Sequence, residues 1–378
     1  MKRLALMAAI AGGVLLGPAC AQEPGETAKI AVSARLVTVP TVVRDKRGEL
    51  VGDLKRENFV LKVDGKVQAI RYFDHDTDVP LTLGLMVDTS MSQRVILDDE
   101  KTASTVFLDK MLAPADRAFV TEFDYQVRTL VELTEARPAL EAGLAKVACP
   151  VPKVADVYEA SAGRMQNRIA IMQARREALH AVVGTKLFDA VVEAAEDVTG
   201  KQTGRKALIL LTDGGDHGSD KTMDEAIEAA QRADTVIYAI YYVAPPGTFR
   251  QGLFDDAPDG TRPGGEPPPP GAGNHFAGGG DGDGQGPFGG LFAPHDDGKK
   301  ILEKMTAQTG GRMFEVGPKL TVEQIYARIA EELRAQYRLG FTPSGATGAK
   351  GYHKVSVSVT GVDGKQKAQT RAGYYAGH

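Results

Sequence analysis

No excess of basic charge runs through this sequence. Its 45 Lys and Arg residues face 49 Asp and Glu, which removes the electrostatic footprint of a nucleic-acid-binding chain. Cysteine is almost absent, with Cys20 and Cys149 the only two. Beyond the first two dozen residues, no apolar run approaches the ~20 residues that a membrane-spanning helix needs. His-Glu-x-x-His, Cys-x-x-Cys, Gly-x-Ser-x-Gly and Walker A patterns are all missing, and the seven histidines are scattered. Each of those patterns carries a particular chemistry, so no common catalytic apparatus is spelled out. What is present is ordinary globular composition, 43% hydrophobic and 25% charged over 378 residues, with room for two domains.

The amino terminus is set apart from the fold. Residues 1–21 combine a Lys2-Arg3 head, an apolar core from Leu4 to Leu16 and the small-x-small site Ala19-Cys20-Ala21, the layout of a secretory signal peptide. An exported chain is expected, periplasmic or secreted, with lipid attachment at Cys20 as the alternative. Once Cys20 is removed or acylated, Cys149 has no partner within the chain. Stability is then left to the core, even in an oxidising compartment.

Residues 22–79 read as a small β module. "ARLVTVPTVVRD" alternates apolar and polar positions, and "NFVLKVDGKVQAIRYF" supplies two further strands around the hairpin signal Asp64-Gly65. From residue 80 to about 335, near-continuous apolar strands alternate with amphipathic helices. That pattern predicts an α/β fold, a doubly wound and mostly parallel sheet covered on both faces. Two insertions interrupt it: a basic helical segment at 152–183 and a Gly/Pro-rich stretch at 244–298, too poor in apolar residues to order itself. Residues 336–378 return to strands, with Asp363-Gly364 as another hairpin signal. The two terminal sets are expected to combine into one β-sandwich-like module, because either alone leaves hydrogen-bonding edges bare.

The candidate site starts with "LTLGLMVDTSMSQ", residues 81–93, where an apolar strand ends in Asp88 and is followed by Ser90 and Ser92. "GTKLFDA" places Thr185 just before a helix, and "LLTDGGD" places Asp213 after another strand. An open α/β sheet gathers its ligands at such strand ends. Two carboxylates and three hydroxyls form an all-oxygen set suited to a hard divalent cation. Helix capping accounts for any one of the hydroxyls, but not for two aspartates ending buried strands. Asp74, Asp76 and Asp78 have the spacing that opens a calcium loop. Val79 and Leu85, however, stand where that loop requires Gly and a bidentate Glu.

The five-residue set resembles the metal-ion-dependent adhesion site of von Willebrand factor type A (vWA) domains, which have a Rossmann-like fold. The flanking "VPTVVRDKRGELVGDLKRENFVLKVDGKVQAIRYF" and "YRLGFTP…YHKVSVSV…TRAGYY" are similar to the secreted vWA-related proteins of acidobacteria. The resemblance implies that Ser90 and Ser92 bind the ion directly, that Thr185 does so in the ligand-competent state, and that Asp88 and Asp213 act through water. It implies Mg2+ as the ion, with Mn2+ or Ca2+ as alternatives, and a protein partner that supplies a Glu or Asp carboxylate. On this reading the chain is a non-enzymatic adhesion or scaffold module. A metal-stabilised structural envelope protein and a metal-dependent hydrolase are the alternatives.

Overall fold

The computed structural model describes residues 36–75, 79–94, 96–149, 184–242, 296–361 and 366–377. The segment read as a signal peptide, the 152–183 segment, most of the Gly/Pro-rich stretch, Asp76, Asp78 and the expected Asp363-Gly364 hairpin lie outside the described residues. Strands β1 (Val37–Arg44), β2 (Phe59–Val63), β3 (Lys66–Gln68) and β4 (Tyr72–Asp74) come first. The α/β segment follows with β5 (Leu81–Asp88), α1 (Leu97–Met111), β6 (Arg117–Phe123), β7 (Val127–Thr134) and α2 (Arg137–Leu144). It continues with α3 (Leu187–Glu193), β8 (Arg205–Thr212), α4 (Met223–Arg232), β9 (Val236–Tyr241), α5 (Asp296–Thr309), β10 (Met313–Glu315) and α6 (Val322–Arg334). The last strands are β11 (Tyr337–Phe341), β12 (Gly351–Val359), β13 (Lys367–Thr370) and β14 (Gly373–Ala376).

The central sheet has the order β10-β9-β8-β5-β6-β7, parallel throughout except for the antiparallel β6–β7 pair. The period-2 geometry of β5 sends Leu83, Leu85 and Val87 into one core and Met86 into the other. The first core is closed by α1, α2 and α6, through residues such as Phe107, Leu140, Ile325 and Tyr326. The second is closed by α3, α4 and α5, through Leu187, Ile227, Leu302 and Met305. Three helices on each face make the doubly wound sheet the apolar runs predict. Each fully buried Leu or Ile contributes about 1.5–3 kcal/mol. Gly84 is required where β5 crosses the second core, since a Cβ there would sit 2.4 Å from Phe119 and 2.5 Å from Leu208.

The terminal strands interleave into two four-stranded sheets, β13-β1-β11-β4 and β14-β12-β2-β3, with every pairing antiparallel. Val39, Val43, Leu61, Val63, Leu339 and Phe341 fill the space between them. Tyr337 is fully buried there. Its hydroxyl donates to Val51 O at 2.9 Å and accepts from Leu54 N at 3.0 Å. The α/β domain is thus inserted between two halves of one sandwich. Arg371, 2% exposed, joins sandwich to domain by donating to Asp234 Oδ1 at 2.6 Å and to Gln231 O.

Three sequence expectations need correction. The run "NFVLKVDGKVQAIRYF" makes three strands rather than two. After the β2–β3 turn, where Asp64 and Gly65 both have positive φ, the chain leaves the hairpin and β4 joins the other sheet beside β11. β1 does not alternate in burial: Val39, Pro40, Thr41, Val42 and Val43 are all buried, because it lies between β13 and β11 and is covered on both faces. The irregular stretch drawn to residue 298 ends earlier, since α5 begins at Asp296. Gly298, counted with the Gly-rich segment, is in the first turn of that helix, whose Leu302 and Met305 are buried.

Candidate metal centre

From β5 the chain proceeds to β6 and β7 on one side, and later fills β8, β9 and β10 on the other. β5 and β8 therefore flank the point where strand order reverses, the crevice at which open α/β sheets bind ligands. Val87 is in register with Leu211, so Asp88 ends level with Thr212 and Asp213 follows. Asp88 is completely buried, and both its oxygens are engaged. Ser90 N donates to Oδ1 at 2.9 Å, and Thr212 Oγ1 donates to Oδ2 at 2.6 Å. Ser90 Oγ and Ser92 Oγ lie 3.0 Å apart. Asp213 Oδ1 accepts from Gly215 N at 3.0 Å in a tight turn. That turn needs Gly214, whose φ is +78° and whose Cβ would sit 2.3 Å from Gly298 O at the start of α5.

Thr185, 4% exposed, reaches the same edge by another route. Its N–H donates to His217 O at 2.9 Å, and its carbonyl accepts from His217 N at 2.7 Å. Lys186 N donates to Asp124 O at 2.7 Å, just beyond β6. Arg128 holds Asp124 with two hydrogen bonds, of 3.1 and 2.5 Å, and also donates to Glu122 Oε1 at 2.7 Å. Asp189 in α3 accepts from Asp220 N and Lys221 N, while Phe188 N donates to Asp216 Oδ1. The loop after Asp213 is in this way stitched to the helix that follows Thr185. All five predicted residues belong to the edge formed by the ends of β5, β6 and β8. The calcium-loop alternative is not supported at Asp74, which accepts from Tyr72 Oη at 2.9 Å and pairs with Arg338.

Burial pushes the Asp88 carboxyl up from 3.8 to about 7, with the nearby Asp213 charge adding to it and hydrogen bonds from Ser90 and Thr212 opposing it. Glu100, in α1, is 1% exposed, and neither of its oxygens has a hydrogen-bond partner among the described residues. Its carboxyl is held well above the usual range by burial, then by the charges of Asp88, Asp213 and Asp99. Gln93 Oε1 is likewise buried and unpartnered. Concentrated negative charge with orphaned acceptors marks a place that a cation would relieve. Among the described residues no three His, Cys, Asp or Glu side chains gather as a metal cage, so a cation held here would have to draw on hydroxyls as well. The serine spacing fits that demand. Ligands at about 2.0–2.1 Å on adjacent corners of an octahedron are themselves about 3 Å apart.

Thr212, Asp124 and Glu100 are the participants that motif reading misses. Glu100 carried a usable signal: it occupies a helical stripe with Ile96, Ser104, Phe107 and Leu108, all buried, where a charge is out of place.

The strand order, the helices on both faces and the Asp-x-Ser-x-Ser loop opposite Asp213 form the doubly wound, Rossmann-like arrangement that the resemblance to vWA domains implies. No protein-family model and no curated protein matches the chain. Among solved structures, it is similar to an aerotolerance-related membrane protein of Bacteroides fragilis, with 14% identity, 67% of this chain and 98% of that chain covered, and a TM-score of 0.40. A von Willebrand factor type A protein from Catenulispora acidiphila gives 10% identity, coverage of 90% and 75%, and a TM-score of 0.40. Proximal thread matrix protein 1 of the mussel byssus, whose structure has a zinc-occupied MIDAS motif, gives 12%, 71% and 48%, and 0.39.

Proposed function

We propose that this chain is an exported, metal-dependent protein-binding module that takes an acidic side chain of a partner. The observation that carries the reading is the 3.0 Å pair Ser90 and Ser92 beside buried Asp88, at the sheet's switch point. Ser90, Ser92 and Thr185 would hold a divalent cation, with Mg2+ first by ligand type, and Asp88 and Asp213 would support it through water. Such an ion supplies an electrophilic position that attracts a carboxylate, because its direct protein ligands are neutral. The chain's own contribution is rigidity. Thr212 and Ser90 fix the Asp88 carboxylate, and the Asp124–Arg128 pair anchors the Thr185 segment.

Export rests on the features of residues 1–21, with lipid attachment at Cys20 as its variant. No helix among the described residues is long and apolar enough to cross a membrane. A second reading, an ion serving stability alone, draws on Glu100. A buried carboxyl group with no hydrogen-bond partner among the described residues, near the charges of Asp88 and Asp213, makes the metal-free fold costly whether or not a partner exists.

The test is capture of proteins from envelope extract by immobilised chain, with and without chelator, using wild type and Asp213→Ala. Capture lost in both cases supports the binding module. Capture that survives both refutes it. Loss of thermal stability in chelator with nothing captured under any condition supports the structural role.

A further inference from the structure

On the face of the molecule where sandwich and α/β domain meet lies a cavity of about 650 Å³, within the range of small-molecule sites. Its cationic residues come from four separate parts of the chain: Arg44 at the end of β1 and Arg47 in the turn after it, Arg312 before β10, Arg328 in α6 and Lys367 in β13. Three carboxylates, Glu49, Glu331 and Glu332, share the lining. The site therefore carries two positive charges in excess, on a chain whose net charge is −4.

The cations fall into two groups. Arg44 and Arg312 are held in place by Glu332, whose side chain is 1% exposed and whose Oε1 accepts from both, from Arg312 Nη1 at 3.0 Å. Arg312 also lies over the Phe314 ring, 4.8 Å from its centroid, and Arg44 donates to Gly48 O at 2.9 Å. Arg44 Nε is buried with no acceptor among the described residues. The side chains of Arg47, Arg328 and Lys367 have no hydrogen bond or ion pair among the described residues. Two anchored guanidinium groups, three free cations and an orphaned buried donor make an arrangement that lacks an acceptor of several negative charges. Planar guanidinium forks match the paired oxygens of phosphate and carboxylate groups.

We propose that this cavity binds a small multivalent oxyanion, a phosphate- or polycarboxylate-bearing molecule, independently of the metal centre. Because its walls come from both modules, occupancy ties β1 and β13 of the sandwich to α6 and the β10 edge of the α/β domain.

The test is calorimetric titration of the full, metal-free chain with inorganic pyrophosphate and, separately, with citrate, at low salt. Saturable one-to-one binding is expected, weakening as salt rises and falling about tenfold or more in Arg328→Gln and in Lys367→Gln. Both residues are exposed and outside the hydrophobic cores, so wild-type melting temperatures are expected for the variants. Pyrophosphate binding alone assigns a phosphate-type ligand, and citrate binding alone a polycarboxylate. Absence of saturable binding by either probe, or equal affinity in wild type and both variants, overturns the proposal.

Discussion

The most exacting consequence of the proposed metal site is that cation and proton would compete for it. Burial and Asp213 raise the Asp88 carboxyl from 3.8 to about 7. At 1.36 kcal/mol for each tenfold step, ionised Asp88 costs the metal-free fold about 4 kcal/mol. The folded value is raised, so the folded state keeps a proton that the unfolded chain has lost. The Asp88 contribution is therefore fully favourable below about pH 4, declines as pH rises, and is lost above about pH 7. A divalent cation reverses the trend, because it needs the carboxylate. At pH 6 roughly one Asp88 in ten is ionised, so Mg2+ should bind about tenfold more weakly than at pH 8, and about a hundredfold more weakly at pH 5. Calorimetric melting in chelator from pH 5 to 8, with Mg2+ titrations at the same pH values, measures both trends. Thr212→Val removes the 2.6 Å hydrogen bond to Asp88 Oδ2 and should move the midpoint further up. An Mg2+ affinity unchanged within twofold between pH 6 and 8 would refute the reasoning, as would a metal-free melting temperature that does not fall over that range.

Glu100→Leu should raise metal-free stability by about 1–4 kcal/mol at pH 8, since it replaces a buried carboxyl group that has no hydrogen-bond partner among the described residues with apolar bulk; a lower melting temperature in chelator would show that the carboxyl group is compensated. Thr185→Ala keeps the backbone pairing with His217, so partner capture should fall roughly tenfold or more while Mg2+ affinity changes less, and equal losses in the two assays would remove Thr185 from ligand binding. The Cys149 thiol is pushed up to about 12 by burial, with its Sγ 3.7 Å from Ser90 O. Iodoacetamide at pH 7.5 should therefore label it far more slowly than free glutathione, and comparable rates would contradict that burial. Deleting residues 345–378 removes β12, β13 and β14, of which β13 pairs with β1 and β12 with β2. Limited proteolysis should then open residues 36–75, and unchanged resistance would mean that the N-terminal strands hold without them.

The sequence alone determined the alternation of strand and helix, the two-faced burial of the central strands, and the chemistry of Asp88, Ser90, Ser92, Thr185 and Asp213. These are local properties. Apolar periodicity follows from the geometry of a single element, and an Asp-x-Ser-x-Ser turn is contiguous in the chain. Tertiary structure alone decided what those residues meet. Asp88 is level with Thr212 only because β5 and β8, 124 residues apart at this pair, became neighbours at the reversal of strand order. Thr185 joins them only because its segment is pinned to Asp124 and to the loop after Asp213. In sequence Glu100 shows only as a charge on the apolar stripe of α1. It becomes a strained carboxylate once α1 packs on the sheet and two aspartates arrive from elsewhere in the chain. The basic cavity at the junction was equally illegible, because its arginines and lysine span residues 44 to 367. Pattern reports what a segment does with its own side chains; desolvation and charge coupling depend on distances that exist only after the chain has folded.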